Sequence, residues 1–195
     1  MKNNQVKILG FAGSLREGAY SKAVARFTLK LAKEKEVETE FVDLRDLAIP
    51  LYDGDLQERS FPKSVQILKD KIRAADAVLI VSPEYNHASP GALKNAINWA
   101  SRPYGDSAFE DKLVAMMSTS PGRVGGARAL IDLRTSLAEM GTWVMPSEVS
   151  IGQVHELLDQ KGDISQPQLL EFIQDFLDQL ILWAKRFKRM KEYVE

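Results

Sequence analysis

The sequence predicts a single α/β domain, residues 1–195, in which helices cover both faces of a parallel sheet. Three observations predict it. Apolar, β-favouring runs alternate with segments of helical periodicity, the signature of βαβ units with right-handed crossovers. Three of those runs end in loops rich in small and polar residues, the place where open parallel sheets bind ligands. The length, 195 residues, fits one domain with a full core.

The elements follow in order. The first strand, about Val6 to Phe11, is a continuous β-favouring run, as expected for a strand buried on both faces. After a polar turn, Lys22 to Lys35 reads as an amphipathic helix with Ala25, Leu29 and Ala32 on its apolar side. Glu40 to Leu44 reads as the second strand, and Ala48 to Asp55 as a loop punctuated by proline and glycine. Phe61-Pro62 opens a second helix to about Ala74, with Val65, Leu68 and Ile72 as its stripe. Ala77 to Val81 is the third strand and the least polar one. Pro90-Gly91 starts the third helix, since proline is tolerated at a helix start, and Leu93, Ala96, Ile97 and Ala100 form its buried face. Lys112 to Met117 is the fourth strand, and a fourth helix ends near Met140. Thr142 to Met145 is a short fifth strand, and residues 146–167 are irregular. The last helix, about Gln168 to Tyr193, carries Leu169, Ile173, Phe176, Leu180, Trp183 and Phe187 at helical spacing and is expected to cover one sheet face. Five strands and five helices make a three-layer αβα domain.

Composition excludes several chemistries. Net charge is −1, so no sequence-wide basic field points to nucleic acid or an anionic membrane. No apolar stretch approaches the length of a membrane span, and the chain enters its first strand without a signal-peptide apolar segment, so the expected address is cytoplasmic. The absence of cysteine removes thiolate nucleophiles, disulfide redox, cysteine-bound zinc and iron–sulfur clusters. Two histidines, His87 and His155, leave no histidine-rich metal site, and no metal is expected. Difficult chemistry in such a chain points to a bound cofactor.

The three loops say which. The first runs Gly10-Phe11-Ala12-Gly13-Ser14-Leu15-Arg16-Glu17-Gly18-Ala19-Tyr20-Ser21-Lys22 and leads into a helix. A helix start presents free N–H groups and partial positive charge; Ser14 and Ser21 add hydroxyls, Arg16 a fork that suits phosphate oxygens, and Tyr20 and Lys22 complete the set. The second loop carries Pro83, Glu84, Tyr85, Asn86 and His87, a set that suits a planar heterocycle with hydrogen-bonding edges. The third, Ser118 to Gly126, mixes hydroxyls (Ser118, Ser120) with glycines (Gly122, Gly125, Gly126) that let backbone approach a flat ring. A phosphate cup and two ring loops around a switch point describe a mononucleotide site, and FMN fits. The glycine spacing matches neither G-x-G-x-x-G nor the P-loop.

Competing readings are structural. Arg16 could be a surface arginine paired with Glu17 or Asp43, Glu84 a solvated charge, and Tyr85 a residue packed on the third helix. Trp99, Trp143 and Trp183 read as core or interface, His155 as structural or exposed, and the long 45–60 connection as rim or partner surface.

Gly13-Ser14-Leu15-Arg16, Pro83-Glu84-Tyr85-Asn86-His87 and Ser89-Pro90-Gly91-Ala92-Leu93-Lys94-Asn95-Ala96-Ile97 together resemble the NADPH-dependent FMN reductase family of flavodoxin-like proteins, over roughly residues 5–150. The resemblance implies a flavodoxin-like three-layer αβα sandwich whose five-stranded parallel sheet has the order 2-1-3-4-5. It implies FMN with its phosphate at Ser14, Arg16 and the residues opening the first helix, and its ring against 83–87 and 118–122. It implies homodimers or homotetramers, NADPH or NADH as reductant, and quinones, azo compounds, chromate or free flavin as the small-molecule electron acceptor. In a ping-pong cycle of this kind the flavin carries the chemistry, and no catalytic side chain is expected. The family often has Ser and Asn where this chain has Ala19 and Ser21, so one hydroxyl is lost from the phosphate grip and one amide becomes a hydroxyl. Two other readings stay open: an electron carrier of the flavodoxin type, and a regulatory nucleotide-binding domain without flavin.

Overall fold

A computed structural model describes residues 5–192, with the side chains of 191 and 192 left out. The strands are β1 (Lys7–Ala12), β2 (Glu38–Val42), β3 (Ala77–Pro83), β4 (Leu113–Thr119) and β5 (Trp143–Ile151). The helices are α1 (Tyr20–Glu34), α2 (Leu44–Leu47), α3 (Gly54–Arg59), α4 (Lys63–Ala74), α5 (Gly91–Ala100), α6 (Ala127–Ala138), α7 (Val154–Leu157) and α8 (Pro167–Glu192). All neighbouring strands pair in parallel, and the sheet order is β2-β1-β3-β4-β5, as the resemblance implied.

Each central strand is buried on both faces, and successive side chains feed opposite layers. Ile8, Leu79, Ala115 and Val149 join a core under α1 and α8, with Val24, Leu29, Phe176 and Leu180 from those helices. Leu9, Val78, Ile80 and Val114 join a second core under α4, α5 and α6, with Leu68, Ile72, Ile97 and Leu133. The apolar stripes expected on the first three helices lie in these cores, apart from Val65, which is buried outside both clusters. α8 returns to the α1 face, which makes the third layer. Trp99 is fully buried and donates its Nε1–H to the Pro50 carbonyl at 2.8 Å, whereas Trp143 and Trp183 are exposed and both lie against Phe187. Among the described residues, no helix is long and apolar enough to cross a membrane.

The differences from the expected elements have physical causes. α1 begins at Tyr20, two residues early, because Ala19 is already extended (φ −74°, ψ 132°) and the chain turns helical directly after it. β2 is Glu38–Val42, because Asp43 leaves the strand to cap α2, its carboxylate accepting the Arg45 N–H at 3.0 Å. β3 and β4 each run further, through Pro83 and Thr119. The largest correction is β5, which passes Pro146 and continues to Ile151. The register steps from Val114↔Val144 to Met116↔Glu148, so three residues of β5 oppose one of β4, and this bulge on an edge strand accommodates a proline. Residues 146–167 therefore include six of the nine residues of β5 and the short α7. α8 is seen to Glu192; the expected end at Tyr193 lies outside the described residues.

Gly10 lets α1 close onto β1. A Cβ there would stand 2.7 Å from Leu29 Cδ1, inside any real contact. Gly10→Ala is expected to cost about 1–3 kcal/mol by overpacking. In a Leu29→Ala background that cost shrinks, and a double-mutant cycle by urea unfolding measures the coupling.

Candidate functional site

The sheet reverses its winding between β1 and β3, and the loops that leave these two strands meet there. The Gly13 N–H donates to the Val81 carbonyl at 2.9 Å, so the β1 ladder runs up to the turn itself. A Cβ at Gly13 would lie 2.9 Å from Leu93 Cδ2 and 3.2 Å from Pro83 Cδ, so the turn sits tight against β3 and α5.

Ser14 is buried in the first loop. Its Oγ accepts the Arg16 N–H at 3.2 Å and lies 3.3 Å from the Tyr85 hydroxyl, which ties the first loop to the second. Arg16 is exposed, and among the described residues its guanidinium has neither a hydrogen bond nor an ion pair, with Glu17 and Asp43 included. Tyr20, Ser21 and Lys22 form the first turn of α1. No side chain caps this fifteen-residue helix, and its first turn carries no acidic residue. Tyr20 is exposed; Ser21 is buried, and its Oγ has no hydrogen-bond partner. The Lys22 ammonium is buried and turns to Asp43 Oδ2 at 2.8 Å and to the Leu15 carbonyl at 3.4 Å. Beside the helix start lies a hollow of about 470 Å³, walled by Gly18, Tyr20, Lys22, Arg26, Asp43 and Lys161.

In the second loop Pro83 closes β3 and Glu84 faces α6. Its Oε2 accepts the Arg128 N–H at 3.0 Å, which satisfies an open donor of the α6 first turn. Tyr85 and Ala88 exchange two backbone hydrogen bonds, at 3.0 and 3.1 Å. Asn86 and His87 between them both have positive φ, 51° and 66°, as a two-residue mirror-image turn requires. Tyr85, Asn86 and His87 are all exposed at the edge where the strand C-termini gather. The base of the loop is held by Asp132 of α6, whose Oδ2 accepts the Ser89 N–H at 3.1 Å and also the Ser89 hydroxyl.

The third loop starts at Ser120, because β4 extends through Thr119. Ser118 therefore lies inside the strand, with its hydroxyl on Ser150 of β5 at 3.0 Å. Ser120 Oγ accepts the Gly122 N–H at 3.1 Å, and the Gly122 carbonyl accepts from Gly125 and Gln153. Gly126 touches the second loop: a Cβ there would be 3.3 Å from Glu84 Cβ. His155, the second histidine, is exposed on α7, whose first residue, Val154, donates its N–H to the Ser120 carbonyl of the third loop at 3.2 Å. Among the described residues, no group of three or more His, Asp or Glu side chains converges as a metal site would.

Sequence spacing does not single out Arg45 or Asp132, and it offers Asp43 only as a possible partner of Arg16. The only available signal was Asp43 two residues before Arg45, a capping pattern at the end of the second strand.

Burial alone would raise the Asp132 carboxyl, but its bonds to Ser89, with Lys94 nearby, outweigh that and hold it below the ordinary 3.8. A carboxylate so lowered contributes stability above its unfolded value, and that stability is lost as pH falls through the folded value. Asp132→Asn is expected to lower the thermal midpoint at neutral pH, and the gap to wild type should close below pH 3.8, as a melting series over pH would show.

The comparisons with known proteins agree with this architecture. The family model for NADPH-dependent FMN reductase matches residues 6–156. The NAD(P)H-dependent FMN reductase PA1204 of Pseudomonas aeruginosa is 37% identical over 188 residues, covering 95% of this chain and 99% of the relative. A quinone reductase of Escherichia coli is 35% identical over 192 residues, covering 97% and 99%. FerB of Paracoccus denitrificans, a solved flavoenzyme NAD(P)H:(acceptor) oxidoreductase, superposes with a TM-score of 0.83 at 36% identity, covering 93% of this chain and 98% of FerB. A parallel sheet reversed between β1 and β3, two loops tied at that point by Ser14 and Tyr85, and these relatives along nearly the whole chain lead to one assignment: the chain belongs to the NADPH-dependent FMN reductase family.

Proposed function

We propose that the chain is an FMN-dependent NAD(P)H oxidoreductase that reduces a quinone. The observation that carries this reading is the start of α1. It is uncapped, free of acidic side chains in its first turn, and leaves the buried Ser21 hydroxyl without a partner, beside an arginine that is equally unpartnered. Those donors fit a dianionic phosphate, which would complete both the helix end and the orphaned hydroxyl.

On this reading Ser14, Arg16, Tyr20, Ser21 and the first N–H groups of α1 hold the FMN phosphate, and Lys22 serves at one remove through the Leu15 carbonyl. Pro83, Glu84, Tyr85, Asn86 and His87 border the ring on one side, with Ser118, Ser120 and Gly122 on the other. When bound, FMN supplies hydride acceptance from NAD(P)H and two-electron delivery to the acceptor, in a ping-pong order. The chain contributes binding and orientation. The reciprocal bonds of Tyr85 and Ala88 fix the exposed turn, and Asp132 fixes its base. Glu84 is committed to the α6 start, so it shapes the ring site through backbone position.

The homodimer or homotetramer has its support in Leu51, 82% exposed next to an apolar hollow lined by Leu15, Leu44, Ile49 and Ala96. With Leu15, 43% exposed in the same hollow, it forms an apolar patch that suits burial against a second copy.

The purified protein is expected to show flavin absorption bands, directly or after FMN is added, and then to oxidise NADPH with a benzoquinone. Flavin binding without NADPH oxidation would make it a carrier, and no flavin binding at all would overturn the reading. Arg16→Ala should weaken FMN about tenfold or more, since a hydrogen bond to a charged group is worth about 1.5–3 kcal/mol. A fluorescence titration that finds its affinity unchanged rejects the phosphate role.

A further inference from the structure

Resting on the FMN reading above, we propose that Asp43 is a positioning residue for the phosphate. Through Lys22 and Arg45 it fixes the Leu15–Arg16 peptide from which the phosphate-binding guanidinium extends.

The geometry begins at the Leu15 carbonyl, which accepts from two cations: Lys22 Nζ at 3.4 Å and Arg45 Nη1 at 3.3 Å. One carboxylate touches both residues, the ammonium of Lys22 and the backbone of Arg45. Asp43 Oδ2 pairs with Lys22 Nζ at 2.8 Å, and Asp43 Oδ1 accepts the Arg45 backbone N–H at 3.0 Å. The other side of the same peptide is held too, because the Arg16 N–H donates to Ser14 Oγ at 3.2 Å. The Leu15–Arg16 peptide plane is thus gripped from both edges, in a loop whose residues 15–18 are otherwise exposed.

This grip matters because nothing else directs Arg16. Its guanidinium has no partner among the described residues, so its reach is set by where its backbone starts. Ala19 offers no side-chain cap, which leaves more of the phosphate to Arg16 and to backbone donors. Lys22 stands in the first turn of α1, where the helix dipole disfavours a cation. The Asp43 carboxylate resolves that conflict by drawing the ammonium away from the helix start and onto the loop. Arg26 also faces Asp43, on the helix side of the pair.

The arrangement differs from general fold support in one checkable way. A clamp that aims Arg16 acts on the phosphate and leaves the flavin ring site untouched. It therefore separates FMN from riboflavin, which has the ring and ribityl chain without the phosphate.

The test is a fluorescence titration of the full chain with FMN and with riboflavin. Asp43→Asn keeps an oxygen for the Arg45 N–H and removes the charge that holds Lys22. Its FMN dissociation constant is expected to rise about tenfold, while that for riboflavin changes less than about twofold. The double variant Asp43→Asn with Lys22→Met leaves no buried unpaired ion, so it tests the same point if the single variant folds poorly. It is expected to show the same FMN-selective loss. Unchanged FMN affinity, or equal losses for both flavins, overturns the assignment. A wild-type protein that binds FMN no tighter than riboflavin, or binds neither, overturns the phosphate reading instead, so the two failures are distinguishable.

Discussion

The pairing of β1 with β3 is the constraint on which the rest of the structure depends. Their parallel ladder continues past the strand end, through the Gly13 N–H to the Val81 carbonyl. That bond forces the chain to turn at once, and the turn fits because Gly13 presents no Cβ to Leu93 and Pro83. With the first loop pressed against the second, Ser14 comes within reach of Tyr85. Two segments some seventy residues apart become neighbours by backbone geometry, before any ligand is considered.

Carboxylates then stiffen the surroundings. Asp43 holds the outer side of the first loop, Glu84 joins the second loop to α6, and Asp132 ties α6 back to Ser89. Each accepts a backbone N–H, so each fixes a peptide, which a purely side-chain ion pair would not do; Asp43 and Asp132 also accept from side chains, Lys22 and the Ser89 hydroxyl. Burial opposes the charge on Asp43, but Lys22, the Arg45 N–H and Arg26 keep it below the ordinary value of 3.8. The loops stay mostly exposed at their tips and anchored at their bases, the arrangement expected of a binding surface on a rigid scaffold.

The layered fold was legible because a strand buried on both faces must be apolar throughout, and Ala77 to Val81 and Leu113 to Met117 are. The helix faces were legible from period alone: Val65, Leu68 and Ile72 are all buried. β5 was not, because Pro146 reads as a terminator until pairing with β4 places it in a bulge of β5. The candidate site was legible only as three loops placed at strand ends, since the strand ends announce where such loops gather. The partners within it were not. Lys22 reads as one more cation beside a helix start, and only folding brings Asp43 to its ammonium. Ser118 reads as a loop hydroxyl, whereas the strand outlasts its apolar run and places it opposite Ser150. Sequence spacing reports neighbours along one element; these pairs lie across elements.

The proline that hid most of β5 also guards it. β5 is an edge of the sheet, nine residues long, and a regular edge of that length is a template on which another chain can add a strand. Pro146 offers no N–H for such pairing, and the three-for-one step in register breaks the ladder into Trp143–Val144 and Glu148–Ile151. Each remaining piece is short, and Glu148 carries a charge paired with Arg134 at 2.9 Å. The sheet can therefore remain open at this side without inviting strand exchange or fibrous stacking.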